Sequence, residues 1–497
     1  MNTPEPVSFV ILGASGDLAR RKVIPAFFAL YCQDRLPPDF RVVGFGRSAL
    51  TDEAFRQRVL EHLTCRYSLG PDCARREEEF LARCFFVTGN YDSHDAYLDL
   101  HTRLREVEPS GVKVNRIFYM AIPSDVFLDV SHGLGNAAMI DCDAREGWTR
   151  VVVEKPFGRD RASSDALVHG MAQVFTEAQT YRIDHYLGKE LVQNLMVLRF
   201  ANSMFEPLWN ARYIERVSVL WQEPDTLVGR AGYFDNYGIL RDVVQNHLLQ
   251  ILALAAMEPP SGLSPAAVHA AKTQLLRAVR PLVADELVLG QYTGGLQGSL
   301  RVAGYRDEPG VRAGSCTPTF AAGILTIDNE RWRGVPFFLL AGKGTGRRVN
   351  ELRVQFRRPP VDLFGAVAAG MPANELVVRI HPDEAISLRL LNKTPGLSMQ
   401  LQASDLHLLY REAYPQPVPD AYERLLLDVI AGEHGLFICD EELAAAWDVM
   451  TPALNALEKM PSTPESYALG SNGPAAAAAL AARRGFGWPA NQGLRQS

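Results

Sequence analysis

Short runs of almost wholly apolar residues recur through the first third of the chain: VSFVIL, RVVGFG, RCFFVTG, NRIFYMAI and TRVVVEK. Helix-length segments such as residues 18–30 and 52–63 lie between them. This alternation predicts a parallel sheet with helical crossovers, an α/β Rossmann-type doubly wound domain over residues 1–183. From residue 184 the pattern changes. Long helical stretches give way to the strand-rich segments RYIERVSVLWQE, FAAGILTID, PFFLLAG, ELRVQF, ELVVRIH and ISLRLL. Strands that follow one another without helices pair mostly antiparallel, so residues 184–497 are expected to form a larger α+β domain. Gly/Pro-rich stretches around residues 258–265 and 307–318 mark breaks in it, and PAAAAALAARR reads as a terminal helix because alanine is the best helix former.

Composition narrows the class. At 497 residues the chain exceeds one ordinary core, and 47% hydrophobic with 22% charged residues is usual for a folded globular protein. A net charge of -6 and a pI near 6.0 provide no field that would gather a polyanion, so nucleic acid is not an expected partner. The longest apolar stretch, around residues 248–257, is too short to span a bilayer. The N-terminus enters its first strand without the features of a secretion signal, and a cytoplasmic location is expected. The seven cysteines, Cys32, Cys65, Cys73, Cys84, Cys142, Cys316 and Cys439, are odd in number and never form a CxxC pair, so all are expected to be reduced.

The first strand is followed at once by Gly13-Ala14-Ser15-Gly16-Asp17-Leu18 and a helical segment. Such a turn lets backbone amides and the positive end of a helix approach a pyrophosphate, although GxxG spacing also suits a plain strand-to-helix turn. The second strand ends in Arg47-Ser48, where an NAD-binding sheet usually carries a carboxylate for the ribose hydroxyls. A guanidinium there suits a 2′-phosphate, so NADP is favoured, with NAD as a weaker alternative.

Four further segments carry chemistry: Val153-Glu154-Lys155-Pro156-Phe157-Gly158, the run from Arg182 to Glu190, GYFD at Gly232 with RDVVQNH from Arg241, and Gly342-Lys343. His185 and Lys189 are four apart and would share a helical face with Tyr186, a donor set able to grip a phosphate dianion. Standing alone, the same residues also fit a solvated surface helix. His247, in a helical run with Asp242 and Asn246, is a general-base candidate because imidazole titrates near neutrality, yet a lone helical histidine is more often a core residue.

With GASGDLARRK, these segments in this order resemble the defining motifs of the glucose-6-phosphate dehydrogenase family, and the resemblance continues into YERLLLDVIAG near the C-terminus. It implies oxidation of D-glucose 6-phosphate to 6-phosphoglucono-1,5-lactone by hydride transfer to NADP+, in a homodimer or homotetramer. It further implies His247 as general base, Asp184 as the carboxylate pairing with it, and His185, Tyr186 and Lys189 as the phosphate grip. Lys155 would reach both sugar and nicotinamide, with Pro156 after a cis peptide bond. Glu223, Asp242, Lys343 and Arg348 would hold the sugar hydroxyls or complete the phosphate site, and Tyr91 and Asp92 would line the coenzyme cleft. No metal is implied. Leu340 and Val349 stand where animal members carry basic residues for a second, structural NADP, although Arg353 and Arg379 are retained. His381 replaces a family glutamine. A dehydrogenase for another sugar phosphate and a non-catalytic, ligand-binding paralogue remain the alternatives.

Overall fold

The structure, a computed structural model, describes residues 5–67, 70–140, 147–361, 363–365, 370–459 and 463–487. Cys142 lies outside the described residues. The chain divides into two compact units, and the division is discontinuous rather than a single cut after residue 183. The first unit comprises residues 1–188, 263–269 and 419–443, and the second takes the remainder.

In the first unit six parallel strands, β1 (Val7–Leu12), β2 (Phe40–Gly46), β3 (Cys84–Thr88), β4 (Asn115–Met120), β5 (Thr149–Val153) and β6 (Thr180–Arg182), lie in the order β3-β2-β1-β4-β5-β6. This is the doubly wound order of dinucleotide-binding sheets. The apolar runs become strands because both faces are covered: every residue of β1 is buried. Beneath the sheet, Phe27 and Phe28 of the Ile24–Cys32 helix share a core with Leu425, Leu426 and Val429 of the Ala421–Ala431 helix. That later helix belongs to the first unit despite its distance along the chain. It starts with a capping box, Asp420 and Glu423 each accepting the other's backbone N–H.

The expectation that all cysteines are reduced is corrected here. Cys65 and Cys73 form a disulfide, while Cys32, Cys84, Cys316 and Cys439 carry thiols. Cys65, in the stretch after the Asp52–Leu60 helix, and Cys73, in the first turn of the Pro71–Leu81 helix, have Cα atoms 5.9 Å apart, within the span of a disulfide. A spacing of eight residues carries no such signal in the sequence alone.

The second unit is built on a nine-stranded sheet. In chain order its strands are β7 (Ile214–Gln222), β8 (Leu287–Thr293), β11 (Phe320–Thr326), β12 (Pro336–Gly342), β13 (Val349–Phe356), β14 (Glu375–His381), β15 (Ala385–Lys393), β16 (Leu401–Leu409) and β17 (Glu465–Ala468), with a small β9–β10 hairpin (Gly295–Gln297, Leu300–Val302) outside it. The order is β16-β15-β14-β13-β7-β12-β11-β8-β17, antiparallel except for β7–β12 and β8–β17. Among the described residues no helix is long and apolar enough to cross a membrane.

Candidate active site

The chain leaves β1 through Gly13, whose φ of +84° lies in the left-handed region, and a Cβ there would come within 2.3 Å of the Ala121 carbonyl oxygen. Only glycine meets both conditions. The Gly13 N–H donates to Phe45 O at 2.8 Å and the Gly16 N–H donates back to Gly13 O at 2.9 Å, which closes the turn. It faces the point where the strand order reverses between β1 and β4, where such sheets open a cleft for dinucleotides. The cleft, about 490 Å³, is lined by Gly13, Ser15, Gly16, Arg47, Ser48 and Tyr91 together with the segment after β4. The Arg47 guanidinium lies 5.8 Å from the Tyr91 ring centroid, and the Ser15 and Ser48 hydroxyls are 3.1 Å apart. Among the described residues no carboxylate lines this cleft.

The remaining residues expected there are not in its lining. Ala14 is buried under the turn, Leu18 precedes one π-helical turn (Ala19–Val23), and Asp92 is exposed. Asp17 is exposed and pairs with Arg20 at 2.8 Å and Arg21 at 3.8 Å.

Where β5 ends, still in the first unit, Glu154 turns inward and is buried, while the next residue, Lys155, is half-buried and precedes the cis bond to Pro156. The Tyr119 hydroxyl donates to Glu154 Oε1 at 2.5 Å, and the Tyr422 phenol lies beside the same carboxylate. Burial pushes the Glu154 carboxyl up, and the two phenols pull it back down.

After β6 the structure departs from the expected helix. Asp184, buried, accepts from the Tyr186 N–H at 2.9 Å, and successive turns bond Leu187 N–H to Asp184 O and Gly188 N–H to His185 O. A carboxylate bonding its own backbone two residues on competes with the helix ladder. His185 and Lys189 therefore do not share a helical face. His185 sits in the turn, edge-on to the Tyr186 ring with centroids 5.0 Å apart, and Lys189 caps the helix Glu190–Phe200, which opens the second unit's part of this stretch.

In the second unit, His247 is buried in a π-helical stretch, Leu240–Leu248, which continues as the α-helix Leu249–Ala256. Its backbone N–H donates to Asn246 Oδ1 at 2.7 Å, and Asn246 Nδ2 donates to Arg241 O at 3.1 Å. Widened helical segments of this kind are frequent at functional sites. Asp242 projects from the same stretch toward Lys343, just past β12, whose Nζ is 3.7 Å from Asp242 Oδ2 and 3.5 Å from Glu223 Oε2. Arg348 Nη1 lies 3.4 Å from Glu223 Oε1, and its other nitrogen pairs with Asp225. The Lys343 ammonium also stands 4.7 Å from the Trp221 ring centroid. The result is two cations alternating with carboxylates, a set that pairs polar ligand groups in every direction. His381, at the end of β14, has its pKa lowered first by burial and then by the charges of Lys189 and Arg348. That cationic corner suits a dianion.

A larger cavity of about 680 Å³ lies along Ser218 and Leu220 of β7 with Arg216, Arg353 and Arg389. Alternation places it on the face opposite Trp221, and so away from Lys343. Arg353 and Arg379 are both paired with Glu351, at 2.7 and 3.1 Å, and Leu340 is fully buried.

Two family profiles match almost end to end: "Glucose-6-phosphate dehydrogenase, NAD binding domain" over residues 10–194 and "Glucose-6-phosphate dehydrogenase, C-terminal domain" over residues 196–489. The chain belongs to the glucose-6-phosphate dehydrogenase family. Among its relatives, the chloroplastic glucose-6-phosphate 1-dehydrogenase 1 of Arabidopsis thaliana is 48% identical over 97% of this chain and 83% of its own length. The Dictyostelium discoideum glucose-6-phosphate 1-dehydrogenase is 44% identical over 98% and 97%. A solved glucose-6-phosphate dehydrogenase, described as in complex with its substrate glucose-6-phosphate, superposes with a TM-score of 0.88 at 40% identity, covering 97% of this chain and 98% of that one. As a glucose-6-phosphate dehydrogenase family member, the chain is an oxidoreductase with a nicotinamide-binding domain.

Sequence reasoning passed over Glu154, Tyr119 and Tyr422. A carboxylate next to Lys155 and an unassigned YERLLLDVIAG motif were the signals available.

Proposed function

We propose that this chain oxidises β-D-glucopyranose 6-phosphate to 6-phosphoglucono-1,5-lactone, the first step of the oxidative pentose phosphate pathway, with NADP+ preferred over NAD+. The observation that carries the substrate is the near-complete superposition on a relative solved with glucose 6-phosphate. Preference for NADP+ rests on Arg47 and on the lack of a lining carboxylate among the described residues of the coenzyme cleft. Bound NADP+ supplies the electrophilic nicotinamide carbon, so no metal is required.

In this reading His247 takes the proton of the anomeric hydroxyl, and Asp184 pairs with the imidazole, holds its tautomer and stabilises the imidazolium. His185, Tyr186 and Lys189 bind the phosphate. Glu223, Asp242, Lys343 and Arg348 bond the sugar hydroxyls or complete the phosphate site, where any polar group left unpaired would cost affinity. Lys155 orients sugar and coenzyme. We further read the chain as cytoplasmic and as a homodimer or homotetramer. Exposed Leu406 and Leu408 on the edge strand β16 support association, whereas the plant relatives are named chloroplastic.

The test follows NADPH absorbance with a panel of sugar phosphates and with free glucose. Glucose 6-phosphate should be turned over most efficiently, and inorganic phosphate should compete with it. Equal turnover of unphosphorylated glucose, or none of any sugar phosphate, would sink the reading.

A further inference from the structure

The Ala421–Ala431 helix is held at its first turn by an unusual number of polar contacts for a segment with no assigned chemistry. Buried Glu423 accepts from Arg66 Nη1 at 2.7 Å, from the Tyr67 hydroxyl at 2.8 Å and from Gln33 Nε2 at 3.2 Å. The Ala421 carbonyl packs so closely on Gly188 that a Cβ there would lie 2.5 Å away. Between these anchors, Tyr422 points into the first unit. Its hydroxyl lies beside the charge of Glu154, the residue before Lys155, and its ring lies parallel to the His185 imidazole, with 9° between the planes and 6.0 Å between centroids. That spacing is an offset stack.

We infer that Tyr422 is a positioning residue with two separable ends, its hydroxyl fixing the end of β5 from which Lys155 emerges and its ring fixing the imidazole of His185. The inference rests on the proposed function, which gives Lys155 and His185 their roles. The first arm is direct because Lys155 follows Glu154 in the chain, so anchoring Glu154 holds the point from which Lys155 leaves. Tyr119 bonds the same carboxylate at 2.5 Å, so it shares the first arm. Burial, and then the neighbouring Glu154 charge, raise the Tyr422 phenol well above its ordinary pKa, so it remains a donor at any working pH.

Three variants of the full chain separate the arms. Tyr422→Phe keeps the ring and removes the hydroxyl; its kcat should fall about 10-fold, on the scale by which misplaced groups cost rate, while KM for glucose 6-phosphate stays within about twofold. Tyr119→Phe should show the same split. Tyr422→Leu removes both ends and should in addition raise KM for glucose 6-phosphate, and the inhibition constant of inorganic phosphate, by about fivefold or more. Phe variants that keep wild-type kcat, or that raise KM without touching kcat, would overturn the inference, as would a Leu variant matching Tyr422→Phe in every constant. Should the Leu variant fail to fold, the two Phe variants still decide the matter through their kcat-against-KM split. Wild-type turnover of glucose 6-phosphate in the same assay tests the proposed function by itself: its absence would count against that reading, and its presence beside unaffected variants only against Tyr422.

Discussion

A buried imidazole in a widened helical segment and a guanidinium at a strand end each make a claim that one substitution can check. If His247 takes the anomeric proton, His247→Asn should lower kcat by at least ~10²-fold, the lower end of what a positioned general base contributes, while leaving glucose 6-phosphate binding nearly intact. Steady-state turnover with equilibrium dialysis of the sugar phosphate reads both, and near-normal turnover would remove His247 from the role. Arg47 lines the coenzyme cleft beside Tyr91 with no carboxylate among the described lining residues. A charge-assisted bond to a 2′-phosphate is worth about 1.5–3 kcal/mol, or roughly 10- to 150-fold. Arg47→Ala should therefore cost that factor in kcat/KM with NADP+ and scarcely alter kcat/KM with NAD+. An equal loss with both coenzymes would make Arg47 structural. Lys189, whose charge reaches His381 within the second unit, should when replaced by alanine raise KM for glucose 6-phosphate far more than KM for coenzyme.

At the scale of elements, the turn after β6 shows where local pattern misleads. His185 and Lys189 have helical spacing, but the Asp184 carboxylate bonds the Tyr186 N–H and the chain turns instead. Gly188 belongs to that turn because of space, with the Ala421 carbonyl 2.5 Å from where its Cβ would stand. Gly188→Ala, which would favour an isolated helix, should here destabilise the protein by about 1–3 kcal/mol, the usual cost of overpacking; thermal unfolding checks it, and an unchanged or raised Tm would contradict the packing. The long apolar strands were legible because burial on both faces writes them as continuous runs, so VSFVIL and PFFLLAG coincide with β1 and β12. Three-residue β6 was not, being too short to show a period, and neither was the π-helical widening around His247, since nine residues make too few turns to separate the two periods. The family motifs named the acid, base and cations of the candidate site. The Tyr119–Glu154–Tyr422 contact stayed hidden because its partners come from three separate stretches of chain.

For the whole molecule, β16 ends the nine-stranded sheet, with no strand paired to its outer edge among the described residues and with Leu406 and Leu408 exposed two residues apart, on one side of the strand. If association runs through this region, light scattering should give at least twice the 55.0 kDa chain mass, and replacing both leucines by aspartate should return it to one chain. A dimer that survives the double substitution would place the interface elsewhere. The return of residues 419–443 to the first unit has a consequence in time. A ribosome adding about 5–20 residues per second leaves an interval of about 13–50 s between completing residue 188 and completing residue 443. Throughout it, Phe27 and Phe28 wait for Leu425, Leu426 and Val429, the side chains with which they share a core. The nascent nucleotide-binding sheet is thus born with an apolar flank uncovered, so its yield in a cell should depend on chaperone capacity far more than its finished stability suggests.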